Sequence, residues 1–178
     1  MKYRVFLSVL LLAIGANSQA ADPLMGFAPD RANRLTFKAL EARFIRLAIP
    51  HSSASQPCID ELEIYGDDPE TNLALASLGA KPTASSCLPG YEIHKIAHLN
   101  DGRYGNSWSW IAAGSRDEWA QIELSQPAKI SSVVFSRDRD GRYRDRMPGG
   151  VEVHISLDGR TWKQVELSAD RSDLLTRA

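Results

Sequence analysis

Apolar and polar residues alternate with a period of two along most of this chain. Ile45, Leu47 and Ile49 alternate with Phe44, Arg46 and Ala48, the spacing of a half-buried strand. Ile59 to Tyr65 repeats the pattern, with Leu62 and Ile64 on one face and Glu61 and Glu63 on the other, until Gly66-Asp67-Asp68-Pro69 ends it. Trp119 to Leu124 places Ala120, Ile122 and Leu124 on one side, and Ile130 to Ser136 is β-branched and aromatic. The cleanest strand is the run Val151, Val153, Ile155, Leu157, interleaved with Glu152, His154 and Ser156. Asp158-Gly159 predicts a hairpin turn after it, with Thr161 to Leu167 returning as the partner. Asn72 to Ala84 contains Gly79 and Pro82, which favours an irregular strand over a helix. Ile93 to Leu99 has room for one helical turn, and Asn100 to Trp110 reads as an aromatic-rich loop. Short strands at regular spacing, with no amphipathic helix of any length, predict an all-β sandwich or barrel.

The ends of the chain do not share this pattern. Lys2 and Arg4 precede an apolar run from Val5 to Ile14, and Ser18-Gln19-Ala20 follows as a small-x-small site. That is the layout of a secretory signal peptide over residues 1–20, cleaved after Ala20 or Ala21. The run is shorter than the ~20 residues a bilayer-spanning helix needs. Residues 21–41, with Pro23, Gly26 and Pro29, read as an extended arm or linker, and residues 169–178 as a polar tail. The domain is therefore expected over residues 42–168, exported to the periplasm, cell surface or medium, with no transmembrane segment.

Charge narrows the partners. The 178 residues carry 21 Lys and Arg against 22 Asp and Glu, a net charge of -1, so neither a nucleic-acid nor a polybasic membrane footprint is present. In an oxidising compartment the two cysteines, Cys58 and Cys87, favour one disulfide worth roughly 2–4 kcal/mol; the alternative is two buried thiols.

Four motifs then occur in one order. They are Asn72-Leu73-Ala74 with Thr83-Ala84-Ser85; Leu99-Asn100-Asp101-Gly102 with Trp108; Trp119-Ala120-Gln121-Ile122-Glu123-Leu124; and Asp158-Gly159-Arg160-Thr161-Trp162. Together they resemble a factor V/VIII type C (discoidin) domain, a galactose-binding-like jelly roll. In that family the last strands resemble Ala42 to Leu47 and Ile59 to Gly66, which here stand at the front. Either these early strands close the same sandwich, as a circular permutation, or they are the end of a preceding, truncated domain. Permutation is favoured, because a sandwich lacking its last strands exposes open edges and apolar core face.

The resemblance implies a non-catalytic binding module that takes carbohydrate or another cell-surface ligand on loops at one end. The alternative is a protein–protein interaction or structural domain, or a piece of a longer surface protein. Exposed Tyr91, Tyr104 and Trp110 are the expected stacking faces, with Arg139, Arg142 and Arg144 as a hydrogen-bonding rim; Trp108, Trp119 and Trp162 are expected in the core. The stretch Arg137 to Arg146 reads either as that rim or as a solvated, self-paired hairpin. The resemblance also implies a structural calcium held by Asp101, Asn106, Ser107 and Glu61. Arg103 stands where relatives often carry an acid; without metal, Asp101 caps the turn and Glu61 pairs with an arginine. His94 and His98 lack a third zinc ligand. Nucleophile motifs and phosphate-binding glycine loops are missing.

Overall fold

The computed structural model describes residues 26–52 and 55–168. The expected signal peptide and polar tail lie outside them. Eight strands run in the order β1 (Asn33–His51), β2 (Cys58–Ile59), β3 (Glu61–Gly66), β4 (Lys81–Ala84), β5 (Trp110–Ile111), β6 (Arg116–Ser136), β7 (Glu152–Ser156) and β8 (Lys163–Gln164). Short 3₁₀ turns occupy Ala76–Leu78, Ile96–Asn100 and Asn106–Trp108, and the described residues contain no α-helix. The fold is an all-β antiparallel sandwich, as the alternating pattern predicts.

Two long strands organise it. β1 and β6 pair antiparallel along almost their whole length, from Asn33 opposite Phe135 to His51 opposite Arg116. The register shifts twice, between Thr36 and Leu40 and between Ala42 and Phe44. Such bulges bend a strand pair, and here they let one pair serve both halves of the sandwich. The C-terminal half of β6 pairs with β3, and its N-terminal half with β4. The C-terminal half of β1 pairs with β7, which in turn pairs with β8. β2 and β5 form a separate two-stranded pair. Ile45, Leu47, Leu62, Ile122, Phe135 and Val153 point inward and are fully buried.

The early strands thus complete the sheet of the later ones, in the permuted order. β1 nevertheless starts at Asn33, nearer the N-terminus than the expected Ala42. The reason is local: the Asn33 side chain accepts from Ala28 N at 2.8 Å and donates back to Ala28 O at 2.9 Å. Phe27 packs edge-on against Phe135 at 5.0 Å, and Leu35 and Phe37 are buried. The Leu35/Phe37 alternation is visible in the sequence but is outweighed there by Pro23, Gly26 and Pro29.

The disulfide expectation is corrected, for both thiols are free. Cys58 is sealed in β2 opposite Ile111, while Cys87 is half-buried and its Sγ donates to His94 O at 3.2 Å. Burial pushes the Cys58 thiol up to about 11, partly opposed by the Arg137 charge and a hydrogen bond with Ser109. Burial also raises Cys87. Both therefore stay mainly protonated at neutral pH, and Cys58 is also sealed from reagents. A disulfide-exchange reagent is expected to count two thiols per chain in denaturant without reductant, and to modify Cys87 before Cys58 in the native protein. A count of zero would restore the bridge.

Candidate functional site

Carboxylates at the start of β3 hold two long loops. Asp60 is fully buried; its Oδ2 accepts from Gly105 N and from Arg139 N, both at 2.9 Å, and its Oδ1 accepts from the Ser136 hydroxyl. Asp138, also buried, accepts from Asn106 N at 3.0 Å and from Tyr143 N at 2.7 Å. Loop 101–108 and loop 137–146 are thereby fixed to the sheet by charge-assisted bonds. Gly105 has φ +93°, and a Cβ there would run into the Asp140 carboxylate, so glycine is required.

The stretch Arg137 to Arg146 is accordingly not a solvated hairpin at its root. Arg137 is 1% exposed. It donates from Nη2 to Asp145 Oδ1 and from Nε to Asp145 O, both at 2.8 Å, and from Nη1 to Asn106 Oδ1 at 3.0 Å. Arg139 pairs with the buried Glu63, donates from Nε to Ser136 Oγ at 2.9 Å, and lies 4.0 Å over the Tyr104 ring. Only the tip of the loop faces solvent: Arg142 is exposed, and Arg144 reaches Asp30 at 2.8 Å.

The open aromatic faces stand on the neighbouring loops. Residues 87–96 form an open recess of about 450 Å³ lined by Tyr91, Glu92, His94, Lys95 and the Leu88-Pro89-Gly90 turn, among others. Tyr91 is 58% exposed. His94 is buried behind it, its Nδ1 3.0 Å from Ser109 Oγ. Burial first, then the positive charges of Arg137 and Arg146, hold the His94 pKa below its ordinary value, so the ring is neutral at neutral pH. Lys95 N donates to Ser109 O at 3.1 Å, which ties the recess to the segment carrying Trp108. Trp108 is 39% exposed, with the Arg103 guanidinium 4.2 Å over its ring and His98 edge-on at 5.3 Å. His98 is in turn held by Asp101 Oδ2 at 2.7 Å.

Several expected roles change. Trp110 is not a ligand face: it is 0% exposed, and its Nε1 donates to Ser86 O at 2.8 Å. Trp108, expected in the core, is the open one. Local structure explains the exchange: Trp108 closes the 3₁₀ turn Asn106–Trp108 outside the sheet, whereas Trp110 lies in β5 opposite Ile59. Trp119 and Trp162 are half-buried on the outside of the sheet, 4.3 and 4.1 Å from the Arg46 guanidinium that stacks between them. Arg46 also donates twice to Gln121 Oε1. Tyr91 opens onto the recess, whereas Tyr104 and Arg139 stack on each other, and Arg142 and Arg144 sit at the loop tip. Lys95 carries no signal in the sequence, while Arg103 and His98 stand out there only in connection with a metal, not with the Trp108 face.

Two of the four expected calcium ligands are engaged elsewhere. Asn106 Oδ1 accepts from Arg137, and Asp101 accepts from His98 and from Arg103 N at 2.9 Å. Ser107 is exposed. Glu61 is fully buried and shares a single donor, Gly102 N, between its two oxygens at 3.2 and 3.3 Å. Its expected fallback, a salt bridge to an arginine, is not among the ion pairs of the described residues; the arginine goes to Glu63 instead. Among the described residues no group of three or more His, Cys, Asp or Glu side chains is disposed to hold a metal ion. The four residues thus do not fit calcium as a set.

A model of the F5/8 type C domain family matches residues 81–174. No curated protein and no solved structure matches the chain.

Proposed function

Because the chain belongs to the F5/8 type C domain family, a family of binding modules, we propose that it is an exported, non-catalytic module that recognises carbohydrate through Trp108 and Tyr91. The observation that carries this reading is the half-open indole of Trp108, with Arg103 laid over it, next in the chain to Ser109, whose carbonyl accepts from the recess residue Lys95. An indole face packs against the C–H face of a sugar ring, while Arg103 and Lys95 donate to hydroxyls. A neutral His94 keeps the recess floor free of a buried charge. The non-catalytic reading rests on the carboxylates. Glu92 is the one carboxylate lining the recess, whereas glycoside hydrolysis uses a facing pair. Export rests on the residue 1–20 pattern; no helix among the described residues is long and apolar enough to cross a membrane.

Affinity electrophoresis against a panel of soluble polysaccharides tests the proposal. Trp108→Ala is expected to weaken retention about tenfold or more, the worth of roughly 1.4 kcal/mol, and Tyr91→Ala to weaken it less. Equal retention of both variants and the parent, or no retention on any polysaccharide, overturns the carbohydrate reading. A second reading, docking on a protein partner, draws on Ile93, which is 49% exposed beside Tyr91. An apolar residue there suits a protein surface better than a sugar. Pull-down from the source envelope that depends on Ile93 but not on Trp108 would favour it.

A further inference from the structure

The loop end that the family resemblance assigns to calcium is built differently in this chain. We propose that the guanidinium of Arg137, assisted by Arg139, takes the place of a structural metal, so that the loop end is ordered without calcium.

A structural calcium joins loops by gathering six to eight oxygens from them. Here the same joining is done by groups of the chain itself. Arg137 reaches from the end of β6 to Asn106 Oδ1 in loop 101–108 at 3.0 Å and to Asp145 in loop 137–146 at 2.8 Å, and it does so while 1% exposed. Its planar fork serves both loops at once, which a point cation with a water shell does differently. Arg139 extends the arrangement to β3 through Glu63. The carboxylates nearest these loops are already filled by N–H donors: Asp60 by Gly105 and Arg139, and Asp138 by Asn106 and Tyr143. Asp101 is filled by His98 and Arg103 N.

Two buried side-chain sites remain open. One is Glu61, whose carboxylate has only Gly102 N as donor. The other is Asn100 Oδ1, which is buried and without a hydrogen-bond partner, although its Nδ2 donates to Ala74 O at 2.7 Å and Ala80 O at 3.3 Å. Two side chains fall well short of a calcium shell. A buried arginine beside a preformed dication site would also be repelled by the ion, whereas here it has an amide oxygen and a carboxylate as partners. Arg137 is a positioning residue for the surface that bears Trp108, not a ligand contact itself.

The test reads metal and stability, not sugar retention, so it succeeds or fails independently of the carbohydrate reading. The full purified protein is assayed for bound calcium by elemental mass spectrometry and melted in chelator and in millimolar CaCl₂. The expected result is no stoichiometric calcium and the same Tm in both. An ion held by the native state alone raises Tm by several degrees once it is well above its Kd. About one calcium per chain, or a Tm that falls in chelator and recovers with calcium, overturns the proposal.

Arg137→Lys and Asn106→Ala then test the replacement itself. Each breaks the Arg137–Asn106 bond while leaving the core intact. Both are expected to lower Tm and to shift Trp108 emission to the red, calcium or not. Unchanged emission in both variants would show that Arg137 does not organise these loops.

Discussion

Trp110→Ala is expected to cost the domain about 3–5 kcal/mol, the range for deleting a large buried aromatic. That is a large share of the 5–15 kcal/mol typical of a folded domain. Trp110 is fully buried in β5, packs within the main core cluster, and gives its Nε1–H to Ser86 O at 2.8 Å. Alanine leaves a cavity and also strands a carbonyl that had a donor. Trp108→Ala, two residues away, is expected to stay within about 1 kcal/mol of the parent, as substitutions outside the core usually do. Urea unfolding followed by circular dichroism separates the two. Equal losses, or a greater loss at Trp108, would reverse the assignment of one tryptophan to the core and the other to the surface.

Glu61→Gln is expected to stabilise the protein at neutral and alkaline pH. Burial pushes the Glu61 carboxyl up to about 9 from its ordinary 4.5, and the charges of Asp101, Glu63 and Asp60 add to the rise; only the Gly102 N–H opposes it. The sign follows from proton counting. Between pH 4.5 and about 9 the folded chain keeps a proton at Glu61 that the unfolded chain has lost. Stability is then highest at the acid end of that window and falls as pH rises through it, by at most ~1.4 kcal/mol per unit from this one group. Glutamine is uncharged at every pH, keeps an oxygen for Gly102 N, and removes that contribution. The Tm of Glu61→Gln should exceed the parent's by several degrees at pH 8 and converge on it near pH 5. A lower Tm for the variant at pH 8 would mean that a cation, not a proton, neutralises Glu61.

The sheet half of the fold was the most legible in the sequence, because a strand with one wet face writes a period of two. Ile45/Leu47/Ile49 and Val151/Val153/Ile155 are placed inward as that pattern requires. The site was less legible. Trp108 and Trp110 share a residue type, a loop and a neighbourhood in the chain, yet one is 39% exposed and the other 0%. Nothing local to either tryptophan records that Ile59, far away in the chain, lies opposite Trp110. Likewise, Arg137 to Arg146 looks self-paired when read alone. It is Asp60, Glu63 and Asn106, from other elements, that draw Arg137, Asp138 and Arg139 inward.

Sequence alone pointed to an all-β module of the discoidin type and favoured early strands that belong with the later ones; the pairing of β1 and β3 with β6 settled the second point. Alternation and turn residues are local properties, and an unfilled sheet edge is legible as a missing piece. Tertiary structure alone decided which tryptophan meets solvent, that the cysteines remain apart, and which partners Arg137 and Arg139 take. Those outcomes depend on burial and on partners brought from distant segments. Both are set by how the sheets close rather than by any residue's neighbours in the chain.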